Sequence, residues 1–201
     1  MSNSKKAVLV VDGLPPSGKA DLFIKKLNGS FDVFYVSFAT DIYDINHEPI
    51  SALLKKAIKD ILSNHHSFSV VAISFGGYVI AHSNDILSQY SSVIEKITLY
   101  SPAARMKKVV GIETLSSYLR EQYPKLNVST EGLLRLDYEM PTANLLDGDL
   151  VKTVHIILGS NDLQLPINFQ KEYFRRYNTD VTDEGHIGIS SLMIRDDSEW
   201  M

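Results

Sequence analysis

The hydrophobic positions of the chain form short continuous runs, separated by segments whose apolar residues recur with helical period. The first run covers residues 7–11 and shows no alternation of apolar and polar positions. Such a run, rich in β-branched residues, is typical of a strand that is covered on both faces of a parallel sheet. Further strands are predicted at residues 31–38, 69–73, 96–100, 151–158 and 180–182.

Helical segments lie between these strands. The clearest covers residues 49–64, where Leu54, Ile58 and Ile61 belong to one apolar stripe and the charged side chains face outward. Shorter helices are predicted at residues 19–27, directly after Ser74, at residues 168–176 and at the end of the sequence. Alternating strands and helices predict an α/β fold, here a mostly parallel six-stranded sheet with helices on both faces.

Residues 103–150 interrupt this alternation, because they are more polar and contain no clear strand. Helical patches occur at residues 112–123 and 131–138. We therefore expect a single domain over residues 1–201, with residues 103–150 as an insertion in it.

Composition narrows the class of protein. The net charge of −4 and the absence of a Lys/Arg-rich block argue against a nucleic-acid partner. The sequence has no cysteine, which excludes disulfides, thiolate metal sites and a cysteine nucleophile. The apolar run after Lys5 and Lys6 is too short for a signal peptide, and no run approaches the ~20 residues that span a bilayer. We expect a cytoplasmic protein without a membrane partner.

Ser74 lies where an apolar strand ends and a helix begins. A serine displayed at such a turn has a strained backbone, and the residues two before and two after it must be small. These residues are Ala72 and Gly76, and Gly77 adds further room. Ala72 departs from the G-x-S-x-G pattern by one methyl group. A serine at this place can also be a simple helix cap.

A base and a carboxylate follow later strands. Asp162 comes after the strand predicted at residues 151–158, and His186 comes after the one at 180–182. A serine hydroxyl becomes a nucleophile when an imidazole takes its proton, and the imidazole needs a carboxylate to orient it. Because the carboxyl ends of parallel strands share one edge of a sheet, we expect Ser74, Asp162 and His186 to meet there.

Other residues of these types are weaker candidates. Asp147 and Asp149 could compete with Asp162, which is preferred because it directly follows an apolar strand. The remaining histidines lie in polar stretches, in a helix or inside a strand, and none follows a strand end: His47, His65, His66, His82 and His155.

Through residues 72–76, 159–162 and 185–186, the chain resembles the α/β-hydrolase fold family. The resemblance extends over nearly the whole chain, as a reduced form that lacks the family's first two strands. It implies an acyl-enzyme mechanism and a lid at residues 103–150. We therefore predict a serine hydrolase of the carboxylesterase or thioesterase type, which acts on a small acyl substrate and uses no cofactor or metal.

The resemblance also implies an oxyanion hole made of two backbone N–H groups. By position, these belong to Phe75, directly after the serine, and to Leu14, in the loop after the first strand. Residues 12–15 resemble the family's His-Gly-x-Pro loop, with Asp12 in place of the histidine. An ionised carboxylate cannot donate the hydrogen bond that a histidine would, so the bracing of this loop stays open.

The same loop suggests a second function. From Gly13 to Lys19 it fits G-x-x-x-x-G-K, and Ala20 follows, so the chain is one residue short of a phosphate-binding P-loop. Pro15 and Pro16 lack the N–H groups that cradle phosphates, and Ala20 lacks the hydroxyl that binds magnesium. A nucleotide-binding protein is one alternative prediction. A non-catalytic binding protein that keeps the hydrolase fold is the other.

Apolar side chains of the insertion could line an acyl pocket above the serine. The candidate substrate-binding residues are Met106, Val110 and Leu115. Amphipathic spacing does not separate a pocket lining from the core of the insertion itself. The cationic residues between positions 105 and 108 could contact an anionic group or simply be solvated.

Overall fold

The computed structural model describes residues 5–16, 20–27, 29–186 and 188. Its strands are β1 (Lys6–Val11), β2 (Phe31–Val36), β3 (Phe68–Ile73), β4 (Ile94–Tyr100), β5 (Val154–Gly159) and β6 (Asn178–Thr182). Its α-helices are α1 (Ala20–Leu27), α2 (Phe38–Asp41), α3 (His47–Leu62), α4 (Phe75–Ala81), α5 (Asn84–Leu87), α6 (Ile112–Gln122), α7 (Thr130–Glu139) and α8 (Ile167–Tyr173). Short 3₁₀ helices occur at Ser88–Tyr90, Met106–Lys108, Thr142–Asn144 and Gly148–Thr153.

The six strands form one sheet in the order β2-β1-β3-β4-β5-β6, and every neighbouring pair is parallel. After β2 the chain crosses to the other side of β1, so the direction in which strands are added reverses between β1 and β3. Sites in parallel sheets lie at the carboxyl ends of the strands beside such a reversal. The predicted α/β class with a six-stranded sheet is confirmed.

Apolar layers cover both faces of the sheet, which explains the continuous apolar runs in the sequence. One layer contains Leu9 of β1 together with Leu54 of α3 and Tyr78 of α4. The other contains Val8 of β1 and Leu27 of α1. Because the five buried residues of β1, positions 7–11, point alternately into the two layers, each of them must be apolar.

Several strand boundaries differ from the prediction. β4 and β6 each begin two residues earlier than predicted, and two other boundaries shift for reasons of packing. The strand predicted at residues 31–38 ends at Val36, and Phe38 begins α2 because its buried ring packs edge-on against Phe75, with ring centroids 5.4 Å apart. The strand predicted at residues 151–158 begins at Val154, because the preceding residues form a 3₁₀ helix that buries Leu150. The predicted C-terminal helix falls mostly outside the described residues.

Residues 103–150 contain α6, α7 and 3₁₀ helices, and they contribute no strand to the sheet. They attach to the rest of the protein through polar contacts at helix ends. The backbone N–H of His47, at the start of α3, donates to the Glu139 carboxylate at 2.9 Å. The backbone N–H of Leu146 donates to the carbonyl of Ala81, the last residue of α4, at 2.9 Å. In the described ranges, no helix is long and apolar enough to cross a membrane.

Candidate active site

Ser74 lies in a sharp turn between β3 and α4. Its backbone has φ 52° and ψ −114°, which is a strained, left-handed conformation for a residue with a side chain. Three backbone hydrogen bonds hold this turn. The N–H of Ser74 donates to the Tyr100 carbonyl at 2.9 Å, and its own carbonyl accepts from Tyr78 at 3.0 Å and from Ala103 at 3.2 Å.

Small residues beside the turn allow α4 to approach its neighbours closely. A Cβ atom on Gly76 would lie 2.4 Å from the Val11 carbonyl oxygen, and one on Gly77 would lie 2.8 Å from Cβ of Pro102. Ala72 is fully buried, so the sheet accommodates its methyl group where the family pattern has glycine. The small-residue requirement predicted from the sequence therefore has a steric cause.

The three predicted polar side chains form one hydrogen-bonded line. Nε2 of His186 lies 2.9 Å from Oγ of Ser74, and Nδ1 lies 2.7 Å from Oδ2 of Asp162. An ionised carboxylate only accepts hydrogen bonds, so Nδ1 carries the imidazole proton. Nε2 is then free to accept the hydroxyl proton of Ser74, which is the arrangement that activates a serine.

Asp162 is buried, with 5% of its surface exposed, and each of its oxygens has two hydrogen-bond donors. Oδ1 accepts from the backbone N–H groups of Gln164 and Leu165, both at 2.9 Å. Oδ2 accepts from His186 and from the hydroxyl of Ser101, both at 2.7 Å. Burial raises the pKa of Asp162, but the hydrogen bond and charge of His186 and the other donors outweigh burial and lower this pKa overall.

The sequence prediction missed Ser101. The available signal was its position directly after β4, which lies between the strands that precede Ser74 and Asp162. A polar residue at that strand end reaches the same edge of the sheet as the other two.

The competing residues lie elsewhere. Asp147 is exposed, and its carboxylate is 3.8 Å from Arg176. His82 is fully buried, and its ring nitrogens bond the Tyr78 carbonyl and the Tyr173 hydroxyl, both at 2.8 Å. Other histidines bond to nearby polar side chains: His47 to Ser51, His65 to Asp32 and His155 to Asp180.

A cavity of about 630 Å³ opens beside Ser74 and His186. The predicted substrate-binding residues Met106, Val110 and Leu115 all line it. None of the described lining residues is Lys, Arg, Asp or Glu, and the polar ones besides Ser74 and His186 are few: Thr114, Tyr118 and Gln164. The cavity therefore suits an uncharged, largely apolar group.

The loop after β1 lies against the serine. A Cβ atom on Gly13 would lie 3.4 Å from Cβ of Ser74, and Leu14 and Phe75, whose amides were predicted to form the oxyanion hole, both line the cavity. Asp12 is buried, and its carboxylate accepts from the Gly13 N–H and from the Tyr35 hydroxyl, both at 2.7 Å. Asp12 thus braces the loop as a hydrogen-bond acceptor.

The second half of the predicted P-loop, residues 17–19, lies outside the described residues. Its first half, with Pro15 and Pro16, lines the cavity beside Ser74. Within the described residues, no group of three or more His, Asp or Glu side chains is placed to hold a metal ion.

Two cationic side chains of the insertion, those of Arg105 and Lys108, contact protein groups. Arg105 donates to the Asp137 carbonyl at 3.0 Å and lies over the Tyr173 ring, 5.9 Å from its centroid. The ammonium of Lys108 lies 5.3 Å from the centroid of the Phe169 ring. Arg105 therefore contributes to packing, and neither side chain lines the cavity.

Comparison of the sequence with protein-family models and with curated proteins finds no match. Solved structures of similar fold are found at low sequence identity. A structure of the metagenome-derived lipolytic enzymes LipS and LipT superposes with a TM-score of 0.65 and 12% identity, over 96% of this chain and 91% of that one. The esterase PF2001 of Pyrococcus furiosus gives a TM-score of 0.60 and 17% identity, over 96% of this chain and 80% of that one.

The type II thioesterase BorB from the borrelidin biosynthetic cluster gives a TM-score of 0.57 and 13% identity, over 97% of this chain and 94% of that one. These similarities extend over nearly the whole chain. The chain therefore has the α/β-hydrolase fold.

Proposed function

We propose that the protein is a serine hydrolase that cleaves an ester or a thioester through an acyl-enzyme intermediate. The observation that carries this proposal is the hydrogen-bonded line from Ser74 through His186 to the buried carboxylate of Asp162. Its serine end opens into an apolar cavity, where an acyl group can lie. The esterases, lipolytic enzymes and thioesterases that share the fold support this reaction class.

In the first half of the proposed reaction, Oγ of Ser74 attacks the acyl carbonyl carbon while Nε2 of His186 takes the hydroxyl proton. Asp162 stabilises the imidazolium that forms. The backbone N–H groups of Phe75 and Leu14 hold the developing oxyanion. The bond to the leaving group then breaks, and His186 gives its proton to the leaving alkoxide or thiolate.

In the second half, water replaces the leaving group. His186 takes a proton from the water as its oxygen attacks the acyl-enzyme carbonyl. The ester bond to Ser74 breaks, the serine oxygen recovers its proton from His186, and the carboxylic acid leaves. The same donors serve both halves because the same oxyanion forms twice.

The acyl group would contact Met106, Val110 and Leu115, which line the cavity. We further propose that residues 103–150 act as the lid of a single domain, because they supply these three residues to the cavity beside Ser74. An apolar lining without a described Lys, Arg, Asp or Glu favours uncharged acyl chains.

A fluorophosphonate probe tests the nucleophile directly. The wild-type protein is expected to be labelled on Ser74, and the Ser74→Ala variant is expected to remain unlabelled. Ser88→Ala is the matched control, because it removes an exposed serine outside the cavity and should be labelled like the wild type. Ester and thioester hydrolysis should fall by at least ~10⁴-fold in Ser74→Ala. Equal labelling of wild type and Ser74→Ala would overturn the proposal.

A further inference from the structure

Ser101, the residue that follows β4, has a conformation that a serine adopts only at a cost. Its φ is 40°, in the left-handed region that favours glycine, and the residue is fully buried. Its N–H donates to the Ile157 carbonyl at 2.8 Å, so the backbone continues the sheet into this position. Because glycine would fit this backbone with less strain, the fold itself does not require the hydroxyl.

The hydroxyl of Ser101 has a specific partner. It donates to Oδ2 of Asp162 at 2.7 Å, and the same oxygen accepts from Nδ1 of His186 at 2.7 Å. The other carboxylate oxygen is held by Gln164 and Leu165, which belong to the loop that carries Asp162 itself. Ser101 therefore adds a fixed donor from a different strand, at the oxygen that faces the imidazole.

The residues that follow Ser101 reach the nucleophile. Pro102 packs against Gly77 of α4, and the N–H of Ala103 donates to the backbone carbonyl of Ser74 at 3.2 Å. The end of β4 thus contacts both the serine turn and the carboxylate. A shift of this segment would change the relative position of Ser74 and Asp162, which the imidazole must bridge.

We propose that Ser101 is a positioning residue, whose hydroxyl holds Oδ2 of Asp162 in line with His186 and limits proton uptake by the Asp162–His186 pair. This proposal rests on the function proposed above. A hydrogen bond to a carboxylate stabilises its negative charge, so part of that charge is no longer available to stabilise an imidazolium. Without the hydroxyl, the pair is expected to take up a proton at higher pH, and in that protonated form it does not accept the proton of Ser74.

Three other titratable residues in the described part of the chain lie near the pair in sequence or on neighbouring elements. Asp183 and Glu184 lie on the loop that carries His186, and Asp183 is exposed. Tyr100 is the last residue of β4 and directly precedes Ser101, but its side chain belongs to the apolar layer that contains Val8 and Leu27. Substitution of Ser101 leaves these three residues in place, so a change in proton uptake would report the lost hydroxyl.

The test compares Ser101→Ala with Ser101→Gly. Both remove the hydroxyl, but glycine also relieves the strain at φ 40°. NMR of the His186 imidazole nitrogens and the Asp162 carboxyl carbon follows proton uptake by the pair without requiring turnover. In both variants the titration midpoint should move to higher pH by about 0.5 to 1 unit. As the pH is lowered, the rate of fluorophosphonate labelling should begin to fall at a correspondingly higher pH than in the wild type. The maximum rate, reached at higher pH, should be about 10-fold lower than that of the wild type.

Ser83→Ala is the matched control, because it also removes a buried hydroxyl, one that bonds the Val79 carbonyl at 2.7 Å. Its titration and labelling profile should equal those of the wild type. Wild-type midpoints and rates in both Ser101 variants, with only thermal stability reduced, would overturn the positioning role. Absence of labelling in the wild type would instead refute the proposed function, and the NMR titration would still decide whether Ser101 acts on the pair.

Discussion

His82, a buried histidine at the end of α4, should make the stability of the protein depend on pH. It is fully buried, and the Tyr78 carbonyl accepts the hydrogen bond that Nδ1 donates, at 2.8 Å. Nε2 accepts from the Tyr173 hydroxyl at 2.8 Å. Burial lowers the pKa of His82 from 6.5 to about 4, the hydrogen bond to Tyr78 opposes this change, and the charge of Arg105 adds to it.

The size and sign of the effect follow from this difference in pKa. Between pH 6.5 and about 4 the unfolded chain binds a proton at His82 that the folded chain does not bind. The free energy of unfolding should therefore fall as the pH falls through this window, and it should show no such loss above it. A difference of about 2.5 pH units at ~1.36 kcal/mol each corresponds to about 3 kcal/mol.

Urea unfolding of the wild type and of His82→Gln at pH 7.5 and at pH 4.5 measures this contribution. Glutamine stays neutral, so the stability advantage of the wild type over the variant should shrink by about 2 to 3 kcal/mol between the two pH values. His66→Gln is the control, because His66 is exposed and its difference from the wild type should not change. Parallel loss of stability in the wild type and His82→Gln would refute the reasoning.

Two further substitutions test the packing of the serine turn and the use of the cavity. Gly76→Ala should reduce the free energy of unfolding by about 3 kcal/mol or more, because its Cβ would lie 2.4 Å from a backbone oxygen of β1. Gly29→Ala is the control: a Cβ there would have nothing within 4 Å, and the free energy of unfolding should change by less than ~0.5 kcal/mol. Equal urea midpoints for the two variants would contradict this prediction. Leu115→Trp should lower kcat/KM for a decanoyl ester at least ~10-fold relative to an acetyl ester by filling the cavity, and equal losses for both esters would exclude an acyl pocket at this position.

Local sequence patterns were sufficient for the elements that carry the site. The change from a continuous apolar run to a helical period located Ser74, and the small residues Ala72 and Gly76 followed from the crowding of a strand-to-helix turn. Asp162 and His186 were predicted because parallel strands bring their carboxyl ends to one edge, whatever the order of the strands. These inferences needed only periodicity and chain order.

Element boundaries depended on tertiary packing. Phe38 has the β propensity of the strand before it, but its ring fills a space beside Phe75 and the backbone turns into α2. The apolar residues before Val154 continue the strand pattern, yet they form a 3₁₀ helix. The hydrophobic pattern could not locate either boundary, because an apolar residue can be buried from either backbone conformation.

The sequence by itself determined the serine turn, the order of the three polar residues and the parallel sheet. Only the tertiary structure decided which further side chains complete the site. Ser101 reaches Asp162 across 61 residues of chain, and Tyr35 braces Asp12 across 23. Both contacts depend on which strands are neighbours. Apolar runs carry no record of strand order, because every strand of a buried parallel sheet has the same hydrophobic pattern.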